Sequence, residues 1–194
     1  MANTSRVQGF RPVEHLTGAP YNGQARMYYI PSSDGTAVAV GDLVKLAGSA
    51  STDGYPTVAQ AAASDTKIIG AVVEVKFDPT DLNVPIYRRA STARYVWVAD
   101  SPDLIFEAQE DAVGGALAVT DVGLNVDIVV GSLSTTTGAS GMQIDTSTKA
   151  TTSTLPLRIV GFVDRADNEI GSANAKVKVM INSHGFNSVG TTGT

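Results

Sequence analysis

The chain has 194 residues, of which 43% are apolar and 17% are charged, and its formal net charge is −5. This composition excludes intrinsic disorder and a long coiled coil, and the negative charge argues against free DNA as a partner. The complete lack of Cys excludes a disulfide scaffold, a thiolate zinc site and a Cys nucleophile. Because Gly, Ser, Thr, Ala and Val are abundant, we predict an all-β fold: a compact β-barrel or β-sandwich with an extended N-terminal arm and little helix.

Residues 1–30 are predicted to form that extended arm, because Gly9, Pro12 and Pro20 interrupt every candidate helix or strand. The arm is basic, with three arginines against the single Glu14, whereas the rest of the chain is acidic. A basic arm on an acidic body favours contact with an acidic protein surface, a neighbouring copy included. The alternative is a frayed terminus.

Residues 31–186 are predicted to form a single β domain made of short strands. Strands are expected at 38–40, 43–46, 67–77, 94–99, 104–106, 157–163 and 176–181. The aromatic residues Tyr95 and Trp97 are expected in the core, and one or two helical turns are expected within 107–113. The Ser/Thr-rich stretch 131–156 is predicted to be a long loop with room for a short hairpin, and 187–194 a flexible tail.

No segment of the sequence has the length of a membrane span. The longest apolar run, 68–73, is far too short, and the first residues lack the apolar core of a signal peptide. We therefore expect synthesis in the cytosol without membrane insertion.

The residues that usually carry catalysis are scarce. His15 and His184 could serve as a base or as metal ligands, but ordinary structural imidazoles are the simpler interpretation. The sequence Gly138-Ala139-Ser140-Gly141 is one residue short of a serine nucleophile motif, and no phosphate-binding or dinucleotide-binding glycine motif occurs. We predict a protein that is not an enzyme, with no cofactor, no metal and no small-molecule substrate.

Acidic residues are densest between positions 100 and 111, namely Asp100, Asp103, Glu107, Glu110 and Asp111. Paired carboxylates can hydrolyse glycosides, here with Asp103 and Glu107, or can bind calcium. A solvated acidic surface is the favoured interpretation, and cation binding stays open. A second group, at 164–169, resembles a fragment of a calcium loop but is read more simply as a polar hairpin turn.

One basic cluster is mixed with aromatic residues. It comprises Arg88, Arg89 and Arg94 beside Tyr87, Tyr95 and Trp97. These are the ingredients of a platform for single-stranded nucleic acid, but the acidic chain makes that partner unfavourable. A protein interface is the better interpretation, because Arg, Tyr and Trp are enriched at binding hot spots.

Four segments in order along the chain carry a resemblance to a known class of protein. They are VGDLV at 40–44, IGAV at 69–72, DSPDLIFEAQED at 100–111 and VKVMINSH at 177–184. Together they resemble the decoration or cement proteins of tailed-bacteriophage heads. That resemblance implies a small β-barrel or β-sandwich, often trimeric, that binds outside the shell and clamps neighbouring capsid subunits without catalytic residues.

The resemblance implies that the protein is located on the capsid surface of a virion and is assembled in the host cytoplasm. The expected partners are the major capsid protein and two further copies of this chain in a homotrimer. Neither nucleic acid nor a membrane is an expected partner. The residues predicted to contact the capsid or a neighbouring subunit are Phe10, Arg11, Tyr21, Arg26, Tyr28, Tyr29, Arg88 and Arg89. The alternative is a carbohydrate- or receptor-binding β module of a virion fibre or surface adhesin, which would stack sugars on Trp97 and tyrosines. An enzyme of the glycosidase type comes third.

Overall fold

The structure is a computed structural model that describes residues 3–81 and 83–186. Within these ranges the chain forms eleven strands and one short 3-10 helix, Val119–Asp121, which confirms the predicted all-β fold. The strands are β1 Arg11–His15, β2 Arg26–Ile30, β3 Leu43–Ala50, β4 Pro56–Gln60, β5 Gly70–Val75, β6 Arg94–Ala99, β7 Leu104–Gln109, β8 Asn125–Val129, β9 Gln143–Ala150, β10 Leu157–Phe162 and β11 Lys176–Ile181. In this part of the chain no helix is long and apolar enough to cross a membrane.

The strands form a closed barrel and an open sheet. The barrel has the order β2-β4-β3-β5-β6, and the six-stranded sheet has the order β1-β7-β11-β10-β8-β9. The paired strands are antiparallel except where β2 meets β4, a parallel contact with one residue pair, Tyr29 with Thr57. The barrel therefore closes through a short seam, whereas β2 and β6 share five pairs.

The barrel interior is filled by small β-branched side chains. Val44, Val58, Val72, Val96 and Val98 are all completely buried and pack together. Barrel diameter grows with strand number, so five strands leave an interior that suits side chains of this size. Ile30, Val38, Ile69 and Tyr28 complete the barrel interior.

A second, larger core joins the sheet to the barrel. Phe106, Val177 and Val179 from the sheet are buried in one cluster with Leu43 and Ile68, which come from the barrel side. The sheet therefore packs one face against the outer wall of the barrel. Because apolar burial is continuous across the two, they form one hydrophobic unit.

A tight crossing of three backbone segments fixes the junction between the N-terminal segment and the barrel. The amide of Phe10 donates to the carbonyl of Gly41 over 2.8 Å. Gly9 has a φ of +68°, and a Cβ there would lie 2.4 Å from that carbonyl oxygen and 2.5 Å from the Cβ of Ser140. Only glycine fits this position, since both the space and the backbone angle exclude a side chain.

Residues 3–30 carry the strands β1 and β2, with a turn at 16–18 between them, and they belong to the body of the fold. Strand β1 is the edge of the six-stranded sheet, and β2 is part of the barrel wall. Phe10, just before β1, is 1% exposed in the core that joins the two. Phe10, which was expected to reach a neighbour, is thus buried within the chain, and burying it locally removes the same surface from water.

The structure corrects two sequence predictions in this part of the chain. The stretch 107–113 is not helical: Glu107 lies within β7, which continues to Gln109. The loop expected at 131–156 contains the eight-residue strand β9, which pairs with β8. Ile144 and Thr146 are buried there and alternate with the more exposed Gln143, Asp145 and Ser147, and a polar Thr at an inward position conceals this pattern in the composition. The tail at 187–194 lies outside the described residues.

Candidate functional site

The outer wall of the barrel carries a surface of aromatic side chains formed by Tyr29, Tyr55, Tyr95 and Trp97, which we call the aromatic face. All four are half-buried. The rings of Tyr29 and Tyr95 lie 5.1 Å apart, and those of Tyr55 and Tyr95 lie 5.6 Å apart at nearly a right angle. Such tilted and edge-to-face contacts are the favourable arrangement of aromatic pairs, so the three tyrosines hold one another in place.

Strand pairing explains why these residues share one surface. Tyr29 on β2 is the direct neighbour of Tyr95 on β6, and Trp97 is the neighbour of Met27 on β2 and of Glu74 on β5. Side chains alternate between the two faces of a strand, so Tyr95 and Trp97 point in the same direction. The aromatic face therefore spans the middle of the barrel wall.

Charged groups fix the central ring of this surface. The Tyr95 hydroxyl donates to the Asp53 carboxylate over 2.5 Å, and the Lys76 ammonium lies 5.3 Å from the centre of the Tyr95 ring. The hydrogen bond to Asp53 is the main cause that raises the pKa of Tyr95 above its usual 10.0. The ring thus has an acceptor at its edge and a cation on its face, which favours one orientation.

The prediction that Tyr95 and Trp97 lie in the core was wrong. The strand β6 buries Val96 and Val98 completely and turns both aromatic residues outward. Apolar side chains occupy both faces of β6, with Tyr95 and Trp97 on one face and Val96 and Val98 on the other, so the sequence pattern alone does not decide which face is buried. The narrow five-stranded barrel decides the phase, because it accepts valines and would not accept Trp97 beside Tyr28.

Three of the eight residues predicted at an interface are instead buried within this chain. Phe10, Tyr28 and Arg88 are 1%, 2% and 0% exposed. Tyr28 lines the barrel core, and its hydroxyl donates to Asp100 over 2.6 Å. Side chains without accessible surface offer nothing to a partner, so we correct the interface prediction at these three positions.

Arg88 ties together the chain segments at one part of the barrel. Its guanidinium donates to the carbonyls of Pro31, Asp34, Thr36 and Thr92, with 2.7 Å from Nε to Thr92 and 2.8 Å from Nη2 to Pro31. The Asp34 carboxylate lies 3.6 Å away and supplies the opposite charge. Burial lowers the pKa of Arg88, an effect that Asp34 opposes. Its role is therefore structural.

The other predicted residues are spread over the surface. Tyr29 alone belongs to the aromatic face. Arg11 and Arg89 are exposed, and Tyr21 is half-buried against the large core. Arg26 is 72% exposed in its side chain, and its Nε lies 3.5 Å from Asp100. The structure thus does not gather the eight residues into one site, and sequence reasoning missed the contribution of Tyr55.

The acidic residues at 100–111 do not form a common site, because each has its own partner. Asp103 accepts from Ser101 and lies 3.1 Å from His15, and both contacts lower its pKa. Glu107 pairs with Arg165 at 2.9 Å. Glu110 is buried, which raises its pKa, and accepts the amide of Leu117 over 2.7 Å.

The remaining candidate ligand, His184, is also built into the structure. Its Nε2–H donates to the carbonyl of Ile69 over 2.7 Å, and its Nδ1 accepts the amide of Phe186 over 3.2 Å. These two bonds define a neutral ring, and burial lowers its pKa. Across residues 3–81 and 83–186, no three His, Asp or Glu side chains group as potential metal ligands.

The aromatic face thus combines aromatic rings, a carboxylate and a cation that contacts within the chain hold in place. Comparisons with known protein families, curated proteins and solved structures found no match for this chain.

Proposed function

We propose that this chain is a structural virion protein that binds the outside of a tailed-phage capsid and stabilises contacts between neighbouring major capsid subunits. In this proposal the protein assembles in the host cytoplasm as a homotrimer and is located on the capsid surface. The resemblance of the four segments within 40–184 to decoration proteins supports this proposal.

The observation that carries the proposal is the aromatic face. Tyr and Trp are the residues most enriched at protein-binding hot spots, and here four of them lie on one wall of a rigid β frame. On a repeating shell, a homotrimer makes several modest contacts at once, and these contacts add through multivalency. The role needs no catalytic group.

Co-sedimentation with capsids tests the proposal. The major capsid protein encoded in the same genome is assembled into expanded heads that lack this chain, and the purified chain is added. We expect saturable binding that Trp97→Ala weakens about thirtyfold, the effect of losing one hot-spot side chain. The matched control is Val119→Ala, since Val119 is 65% exposed and lies in the 3-10 helix, away from the barrel.

Circular dichroism melting of both variants confirms that each is folded before binding is compared. A chain that fails to bind the heads overturns the proposal, and so does a genome without a major capsid gene. If Trp97→Ala and Val119→Ala bind the heads with the same affinity, the aromatic face is not the contact.

Native mass spectrometry over a range of concentrations tests the trimer. A stable species near three times 20.1 kDa is expected. A chain that is monomeric in solution and occupies the shell as isolated copies contradicts this part of the proposal.

A second candidate function uses the same surface to bind carbohydrate. Stacked tyrosines beside the Asp53 carboxylate offer ring faces for a sugar and an acceptor for its hydroxyl groups. A glycan array separates the two candidates. Selective binding that Tyr95→Ala abolishes would favour the carbohydrate module, and an array without binders would remove it.

A further inference from the structure

An apolar groove lies beside the end of β5 on the barrel, and it adjoins the aromatic face at Glu74 and Lys76. Its volume is about 410 Å³, and Val73, Val75, Phe77, Val84 and Ile86 are among the residues that line it. Phe77 is 67% exposed and Ile86 is 64% exposed. Two large apolar side chains on one concave surface are a typical feature of a binding groove.

The groove also runs along a strand edge. On its β3 side, β5 has a backbone partner as far as Val72, whose amide donates to Asp42 and whose carbonyl accepts from Gly41, both over 2.8 Å. On the other side β6 continues further, and the amide of Lys76 donates to Tyr95 over 2.9 Å. Among the described residues, β5 beyond Val72 therefore has a strand neighbour on the β6 side alone.

Alternation of the backbone places hydrogen-bonding groups at this edge. Because the amide of Lys76 points toward β6, the amide and carbonyl of Val75 point to the opposite side. That side is the groove, which Val75 lines. An unpaired edge next to apolar pockets is the arrangement that accepts an extended peptide as an added strand.

The rim of the groove is acidic. Glu74, Asp78 and Asp81 line it together with the single cation Lys76. Asp78 has Arg94 at 3.6 Å, and Lys76 lies over the Tyr95 ring. Glu74 and Asp81 thus leave a local negative charge that an incoming Lys or Arg would complement.

We propose that this groove binds an extended apolar segment of a partner protein, which adds to the edge of β5 as a further strand and places a Lys or Arg beside Glu74 and Asp81. This inference deepens the proposed function and, for the identity of the partner, rests on it: on a capsid, the segment belongs to the major capsid subunit. Apolar side chains on one face of the segment fill the space between Phe77 and Ile86.

Two short synthetic peptides serve as the probes. Both have the same core of alternating Val and Thr, with Lys at the flanks of one and Glu at the flanks of the other. Fluorescence anisotropy with the full chain is expected to show saturable binding of the Lys peptide, at least about tenfold tighter than that of the Glu peptide. Hydrogen exchange should show new protection of the backbone at 73–77, because strand addition bonds the amide of Val75.

Variants of the groove sharpen the test. Phe77→Asp combined with Ile86→Asp should abolish peptide binding, whereas the matched control Ile170→Asp should keep it, since Ile170 is also exposed but does not line the groove. Glu74→Lys combined with Asp81→Lys should reverse the preference, so that the Glu peptide binds more tightly. All of these positions are exposed, so the variants are expected to fold.

Four outcomes overturn the inference. They are no saturable binding of either peptide, binding without protection at 73–77, no change of preference in the lysine variant, and loss of a native dimer or trimer in the Phe77/Ile86 variant. The second outcome would indicate a pocket for a small apolar ligand, and the last would indicate that a second copy of this chain occupies the groove.

The two proposals fail in different ways. If the chain does not bind capsids but the Lys peptide protects 73–77, the decoration function is wrong and strand addition is kept with another partner. If capsids bind and Trp97→Ala removes that binding, yet neither peptide binds, the groove inference is wrong and the decoration function is kept.

Discussion

The barrel and the six-stranded sheet are stabilised in different ways. The sheet is held by a broad apolar face, in which Phe106, Val177 and Val179 are buried against the barrel wall. The barrel has a small interior and a seam of one residue pair between β2 and β4, and it adds a buried Arg88 that binds four carbonyls. The barrel thus adds a buried polar network to its small apolar interior, and this network ties the segment after β2 to the residues just before β6.

This difference also separates stability from binding. The sheet uses its apolar surface within the molecule, while the barrel wall presents Tyr95 and Trp97 outward and the groove presents Phe77 and Ile86. Changes in the sheet core or at Arg88 should therefore lower stability. Changes on the outer barrel wall should alter binding and leave stability nearly constant.

The largest effect is expected from the polar tie of the barrel. Arg88→Met keeps most of the side-chain volume but leaves the carbonyls of Pro31, Asp34, Thr36 and Thr92 without their buried donor. Loss of one partner from a buried charged network costs about 3–5 kcal/mol. Urea unfolding followed by circular dichroism measures this loss, and Arg88→Lys should recover only part of it because an ammonium lacks the planar fork.

The neighbouring residue provides the control for that experiment. Arg89 is exposed, so Arg89→Met should change the free energy of unfolding by less than about 0.5 kcal/mol. If the two variants unfold at the same urea concentration, Arg88 does not tie the barrel.

The next largest effect is expected where the N-terminal segment enters the large core. Phe10→Ala removes a ring that is 1% exposed and should cost about 3 kcal/mol through lost burial and the remaining cavity. Thermal unfolding measures the change, with Phe77→Ala as the matched control because Phe77 is 67% exposed. Equal stability of the two variants would mean that residues 3–10 act as a free arm after all.

The buried groups His184 and Glu110 give stability opposite dependences on pH. Burial lowers the pKa of His184. The imidazole therefore binds a proton more readily in the unfolded chain than in the folded chain. Stability should therefore fall as the pH drops through about 6.5, the ordinary value for His. Asp100, which favours the charged ring, and Arg26, which opposes it, face His184 and modulate the slope.

Glu110, directly after β7, has the opposite sign, and so does Asp42 just before β3. The raised pKa of Glu110 means that the folded chain keeps the proton longer, so its contribution to stability is lost as the pH rises above its ordinary 4.5. Urea midpoints across this pH range measure both slopes. His184→Gln should remove the loss of stability below pH 6.5 and leave the Glu110 slope, and a slope unchanged in His184→Gln would contradict the assignment.

Much of the fold follows from local pattern, and the candidate site does not. The strands β6, β10 and β11 have clear alternation and were predicted near their observed bounds. Strand β9 was hidden by its Ser and Thr residues, because composition suggested a loop where alternate residues are buried. The aromatic face depends on the diameter of the barrel and on the contact of Tyr55 with Tyr95, both long-range properties that no local window contains.

The smallest expected effect comes from the hydrogen bond between Tyr95 and Asp53. Its loss tests whether the rings of the aromatic face are held in place in solution. Asp53→Asn replaces the carboxylate that accepts the Tyr95 hydroxyl over 2.5 Å, the first cause of the raised pKa of Tyr95. An amide stabilises the protonated phenol less than a carboxylate does and adds no negative charge, so the pKa of Tyr95 should fall toward 10.0.

Phenolate absorbance during an alkaline titration measures this shift, and subtraction of the Tyr95→Phe titration isolates the one ring from the other five tyrosines. Asp81→Asn serves as the control, because Asp81 does not contact Tyr95. A Tyr95 titration that is identical in wild type and Asp53→Asn would show that the hydrogen bond does not persist in solution. The barrel wall would then present mobile rings, and pre-organisation would no longer contribute to the affinity of this surface for a partner.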